Sequence, residues 1–139
     1  MKQPYRTRKV DQPPHYTTFK PRGIPQKYLK KTELCIDEFE AIRLADYCGM
    51  EHREAADHMQ ISRPTFTRLV KKARQKVALA LIEGTELNIT GGNIELLNTL
   101  YYCHDCGETV SQPAYLKTDN CLECGSENVN NLAEKFINK

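Results

Sequence analysis

The chain contains no apolar run long enough to span a membrane, and its opening residues, MKQPYRTRKV, lack the apolar segment that a secretory signal requires. Both absences point to a cytoplasmic protein with no membrane partner. A glycine-rich phosphate cradle is missing too, and no acid and base pair up to suggest a catalytic pocket, so an enzyme is not expected. Proline is scarce beyond the first 31 residues, which hold five of the seven. That stretch reads as an extended arm, and the rest is free to form regular elements. Most telling, acid is absent from Gln60 to Ala78, where six Lys/Arg fall.

What is present is charge sorted by segment. The net charge is only +2. Yet residues 1–31 carry nine bases and one acid, residues 32–59 two bases and eight acids, and residues 79–139 three bases and nine acids. Such blocks imply a polyanionic partner, with nucleic acid the commonest. A length of 139 residues at 40% apolar composition allows one modest core and a small appendage that needs a staple. The expected organisation is a basic Pro-rich arm over 1–31, a helical domain over 32–92 and a small module over 93–139.

The hydrophobic spacing predicts three helices. The first runs over Asp37–Cys48, with Phe39, Ile42 and Ala45 on one face and Gly49 as its stop. Its cap should be weak, because Cys35 stands where a capping box wants Ser or Thr three residues before Glu38. A second, short helix spans His52 to Met59, with Ala55, Ala56 and Met59 turned inward. The third continues to Gly84 after the turn Gln60-Ile61-Ser62; Ser62 supplies its cap and Pro64 lies in its first turn, where a missing N–H costs nothing. Phe66, Leu69, Val70, Ala73, Val77 and Leu81 recur along its apolar face. This order predicts a mainly α protein built on a three-helix helix-turn-helix domain. Beyond Gly84, Glu86–Thr90 suits a short strand, while Ile94–Leu100 fits either strand or helix.

In a helix-turn-helix, the third helix enters the major groove with its early residues toward the base edges. The outward positions are Arg63, Pro64, Thr67, Arg68 and Lys71. Arg63 and Arg68 suit base readout, since a guanidinium can grip guanine O6 and N7 with two parallel bonds. Lys71, Lys72, Arg74 and Lys76 suit phosphates, which fix register without reading sequence. In the arm, Arg6, Arg8 and Lys9 are candidates for the minor groove.

PPHYTTFKPRGIP, IDEFEAIRLAD and EAADHMQISRPTFTRLVKKARQKVALALIEG resemble, in that order, the uncharacterised prokaryotic protein family 0251, the domain of unknown function 134. The resemblance covers about Arg6 to Gly92. It implies a DNA-binding protein whose helix-turn-helix looks like region four of bacterial sigma factors, and it supplies no target. The chain departs from the family's usual Gly at Gln60, which implies a left-handed residue there at a cost of about 1 kcal/mol. It departs again at Glu51, in place of the usual Ser or Thr, which is a poorer cap that still complements the helix dipole.

Six cysteines in a reducing compartment suggest metal or redox chemistry before disulfides. Cys103-His-Asp-Cys106-Gly and Cys121-Leu-Glu-Cys124-Gly form two knuckles of the CxxC type, whose four sulfurs suit one tetrahedral zinc ion. They resemble a zinc-ribbon-like β module with one structural Zn2+, and in so short a module the metal supplies folding energy. His104 is expected to face solvent, and Cys35 and Cys48 to be ordinary buried thiols. The module is acidic, and four thiolates around zinc leave about −2 of formal charge, so it should not bind phosphate. A protein partner, self-association through this module, or a structural cap is the expected role, with metal or redox sensing a minor one.

The leading expectation is a sequence-specific double-stranded DNA-binding protein acting in transcription regulation. The alternative is an RNA-binding or protein-recruiting adaptor whose ribbon docks a partner.

Overall fold

A computed structural model describes residues 7–116 and 119–133. The chain divides into two compact units. One contains residues up to Val10 together with Tyr16–Glu95; the other contains Asp11–His15 together with Leu96 onward.

In the first unit, strands β1 (Arg8–Val10), β2 (Thr18–Phe19) and β3 (Lys31–Leu34) precede helices α1 (Ile36–Ile42), α2 (His52–Met59) and α3 (Arg63–Glu83), and β4 (Glu86–Ile89) and β5 (Ile94–Leu96) follow. Parallel pairing of β3 with β4 brackets all three helices, with Lys31 opposite Glu86 and Leu34 opposite Ile89. On the other edge of β4, β2 runs antiparallel, and β1 pairs with β5. The helices share a core of Ala41, Leu44, Ala55, Ala56, Met59, Phe66, Leu69 and Val70. Small alanines on α2 let it approach α3 closely, and Phe66, with no exposed surface, fills the centre.

The second unit is a three-stranded antiparallel sheet in the order β7 (Thr109–Pro113), β6 (Asn98–Cys103), β8 (Val129–Asn131). Asp11 ties to it through its carbonyl, which accepts the Asn98 N–H at 2.8 Å.

A mainly α class is therefore wrong for this chain. Among the described residues, three α-helices stand beside eight strands in three small sheets. The helices fall close to their expected places, and β4 falls where Glu86–Thr90 was expected to form a strand; β1, β2 and β3 were missed because each is only two to four residues long. An alternation needs about four to eight residues to show in sequence. The segment expected as an arm supplies β1, β2 and the first residue of β3.

Local chemistry explains the helix boundaries. After Ile42 the chain widens into one π turn, Arg43–Tyr47, so α1 is shorter than its apolar spacing suggested. Its cap is stronger than expected, because the Glu38 carboxylate accepts the Cys35 N–H at 2.9 Å. Gln60 is left-handed, with φ 56° and ψ 46°. Its N–H reaches Asp57 O at 3.1 Å and the Ile61 N–H reaches Ala56 O at 3.0 Å, which closes α2 as a Schellman motif. Ser62 then caps α3, its hydroxyl accepting the Thr65 N–H. Two apolar assignments fail: Leu81 is 78% exposed rather than packed, and Cys48 is exposed rather than buried.

Candidate nucleic-acid interface and metal centre

The tight turn at Gln60 fixes α2 against the first turns of α3, and packing of Phe66, Leu69, Val70 and Ala73 fixes which face of α3 looks outward. That face presents Arg63, Pro64, Arg68, Lys71 and Lys72, all exposed. None of these four bases has an ion-pair partner among the described residues. Thr67 is half-buried, and its hydroxyl shares a 2.9 Å hydrogen bond with His52 Nδ1. His52 also stands edge-on to Phe66, with ring centroids 5.3 Å apart.

The other bases are engaged. Arg74 grips Asp46 with two hydrogen bonds, Nε at 3.0 Å and Nη2 at 2.6 Å. The Arg74 hydrogen bonds hold the Asp46 carboxyl below its ordinary value. Lys76 donates to the buried Glu38 at 2.7 Å. Arg8 pairs with Asp37 at 2.5 Å, and Lys9 pairs with Glu95. Arg6 lies outside the described residues. Of the eleven residues assigned to DNA from sequence, the structure thus gathers Arg63, Pro64, Thr67, Arg68, Lys71 and Lys72 on one helix face, adds a tethered Arg74, and places Lys76, Arg8 and Lys9 in ion pairs elsewhere in the unit. His52 and Asp46 were missed. Each acts across 15 or 28 residues of sequence, and no local pattern announces such a pair.

In the second unit, the four sulfurs of Cys103, Cys106, Cys121 and Cys124 lie within 4.8 Å of one another. Cys103 and Cys124 are 3.6 Å apart, as are Cys106 and Cys121. A disulfide requires about 2.05 Å. Four sulfurs about 2.3 Å from a central zinc stand about 3.8 Å apart, so the spacing fits a tetrahedral ion. Each knuckle closes alike: Gly107 and Gly125, at φ 76° and 78°, donate to Cys103 O and Cys121 O at 2.9 Å. Backbone amides also point at sulfur, Cys106 N–H to Cys103 and Glu123 N–H to Cys121, each at 3.4 Å. Chiefly through the Cys106 amide, the Cys103 thiol is brought down to about 7. At Cys106 the Glu108 amide is outweighed by burial and the neighbouring thiols, which push that thiol up to about 12, and Cys124 is also raised. His104 is exposed and meets Asn130 at 2.8 Å, apart from the four sulfurs. Four thiols can hold a metal ion, and the set is compatible with zinc.

No helix among the described residues is long and apolar enough to cross a membrane. The family described as "Protein of unknown function DUF134" matches residues 1–97. A UPF0251 protein of Chloroherpeton thalassium is 52% identical over 132 residues, covering 95% of this chain and 87% of the relative. One from Pelotomaculum thermopropionicum is 52% identical over 107 residues, covering 77% and 81%. One from Methanothermobacter thermautotrophicus is 38% identical over 138 residues, covering 99% and 71%. Alignments of 132 and 138 residues extend past residue 97 into the unit that bears the cysteines.

Proposed function

The chain belongs to the DUF134 family, and we propose that it binds double-stranded DNA sequence-specifically through a helix-turn-helix, α2–turn–α3, and acts in transcription regulation from the cytoplasm. The observation that carries this reading is the outward face of α3: four exposed bases with no ion pair among the described residues, next to a half-buried threonine and opposite a packed apolar face. Arg63 and Arg68, near the start of α3, read base edges. Lys71 and Lys72 hold phosphates. Thr67 has its hydroxyl oriented by His52, which limits the rotamers it can offer a base or phosphate.

The second unit takes one structural zinc ion, held by Cys103, Cys106, Cys121 and Cys124. When bound, the ion supplies folding energy to a unit with few buried apolar side chains. Four thiolates leave no open coordination position, which speaks for a structural role and against a hydrolytic one.

Binding of the full chain to duplex DNA, single-stranded DNA and duplex RNA across a salt series tests the proposal. A duplex-DNA preference that falls steeply with salt, and is weakened by Arg63→Ala and Arg68→Ala, is the expected outcome. Preference for RNA, or indifference to both substitutions, supports instead the adaptor reading, in which the zinc unit docks a partner.

A further inference from the structure

The outward face of α3 changes character along its length. Through Lys76 it is basic; from Val77 to Ile82 the sequence VALALI carries no charge, and Glu83 follows. At about 100° per residue, Leu81, Ile82 and Leu79 fall on the arc occupied further back by Arg63, Lys71 and Arg68. They are 78%, 85% and 41% exposed. Beside them lies an open groove of about 380 Å³, whose apolar walls include Phe19, Pro21, Val77, Ala80, Leu81 and Leu87. A helical stretch that is apolar all round is normally covered all round. Here only the side facing the core and β4 is packed.

We propose that this end of α3 is a docking surface for a second copy of the chain, with Ile82 of each copy seated in the groove of the other. Knob and groove lie side by side on one element, which is the arrangement a two-fold contact requires, since the same patch must serve both copies. Charge favours the same occupant. The helix is basic before the patch and acidic after it, at Glu83, so an antiparallel two-fold crossing brings Glu83 of each copy toward the basic stretch of the other. The exposed parts of Phe19, Leu79, Leu81 and Ile82 together come to roughly 500 Å². With the intervening alanines, this approaches the ~600 Å² per partner of the smaller stable interfaces. Resting on the DNA reading, one consequence follows: two reading ends related by a two-fold axis select an inverted-repeat site.

Sedimentation equilibrium of the full zinc-loaded chain across the micromolar range, without DNA, tests the interface separately from DNA binding. A dimer is expected, with Ile82→Asp and Leu81→Asp each weakening it roughly 100-fold or more. Both sites are exposed, so far-UV circular dichroism should match the parent chain, as should the melting midpoint at concentrations low enough for the parent to be monomeric. A chain that stays monomeric at the highest concentration overturns the proposal. So does a dimer that survives both substitutions, which would place self-association elsewhere, for example in the cysteine unit.

Discussion

Removing Asp46 should strengthen DNA binding. Asp46 holds Arg74 through two hydrogen bonds, and both side chains are nearly half exposed, at 43% and 49%. Among the described residues the unpaired bases of α3 are Arg63, Arg68, Lys71 and Lys72. With Lys71 and Lys72 each on one phosphate, log K falls with log salt at a slope of about −1.8, using about −0.9 per contact. Asp46→Ala frees Arg74 as a third phosphate-binding cation and steepens the slope to about −2.7. At ~0.1 M salt one such contact contributes at most about 1.2 kcal/mol, roughly eightfold in affinity, from which ordering of the side chain subtracts part. A gain of about three- to eightfold is therefore expected. Stability should change by no more than the ~0–1 kcal/mol of an exposed ion pair. Fluorescence anisotropy of a labelled duplex over a salt series reads both affinity and slope. A folded variant with unchanged slope, or with weaker binding, would refute the claim that the α3 face meets phosphate as far along as Arg74.

Gln60→Gly should raise stability by about 0.5–1 kcal/mol, seen as a higher urea midpoint, because φ 56° is a glycine conformation; a lower midpoint would show that the Gln60 side chain compensates the strain. Chelation at neutral pH, or Cys121→Ser, should abolish hydrogen-exchange protection in β6–β8 while the helical circular dichroism persists, and protection that survives metal removal would contradict a structural ion. The Asp46 carboxyl, held low chiefly by its hydrogen bonds to Arg74, should titrate below the ordinary 3.8 by carbon-13 NMR. Its contribution to stability is present above that ordinary value and lost as pH falls through the lower folded-state one, and Arg74→Ala should return the titration to the ordinary position.

The helical domain was legible because its signals are local. Ser62, Pro64 and a 3.6-residue apolar spacing place the start and inner face of α3, and Gln60 and Gly84 mark turns whose left-handed backbone the structure bears. The paired CxxC knuckles were legible for the same reason, since the spacing itself brings two sulfurs together. What escaped was non-local. Strands β1 to β3 acquire their identity from β4 and β5, more than fifty residues away, and their short lengths carry no readable period. The fates of Arg74, Lys76, Arg8 and Lys9 were set by distant acids at Asp46, Glu38, Asp37 and Glu95. Leu81 misled for a different reason: it follows Val77 by four residues, yet at about 100° per residue it has drifted off the core face onto the arc of Arg63.

Whether the outward face of α3 meets duplex DNA is read by amide and side-chain chemical-shift mapping on addition of a selected duplex. The largest changes are expected at Arg63, Thr67, Arg68 and Lys71, with β6–β8 silent; changes concentrated in the cysteine unit, with α3 silent, would contradict a DNA-binding α3.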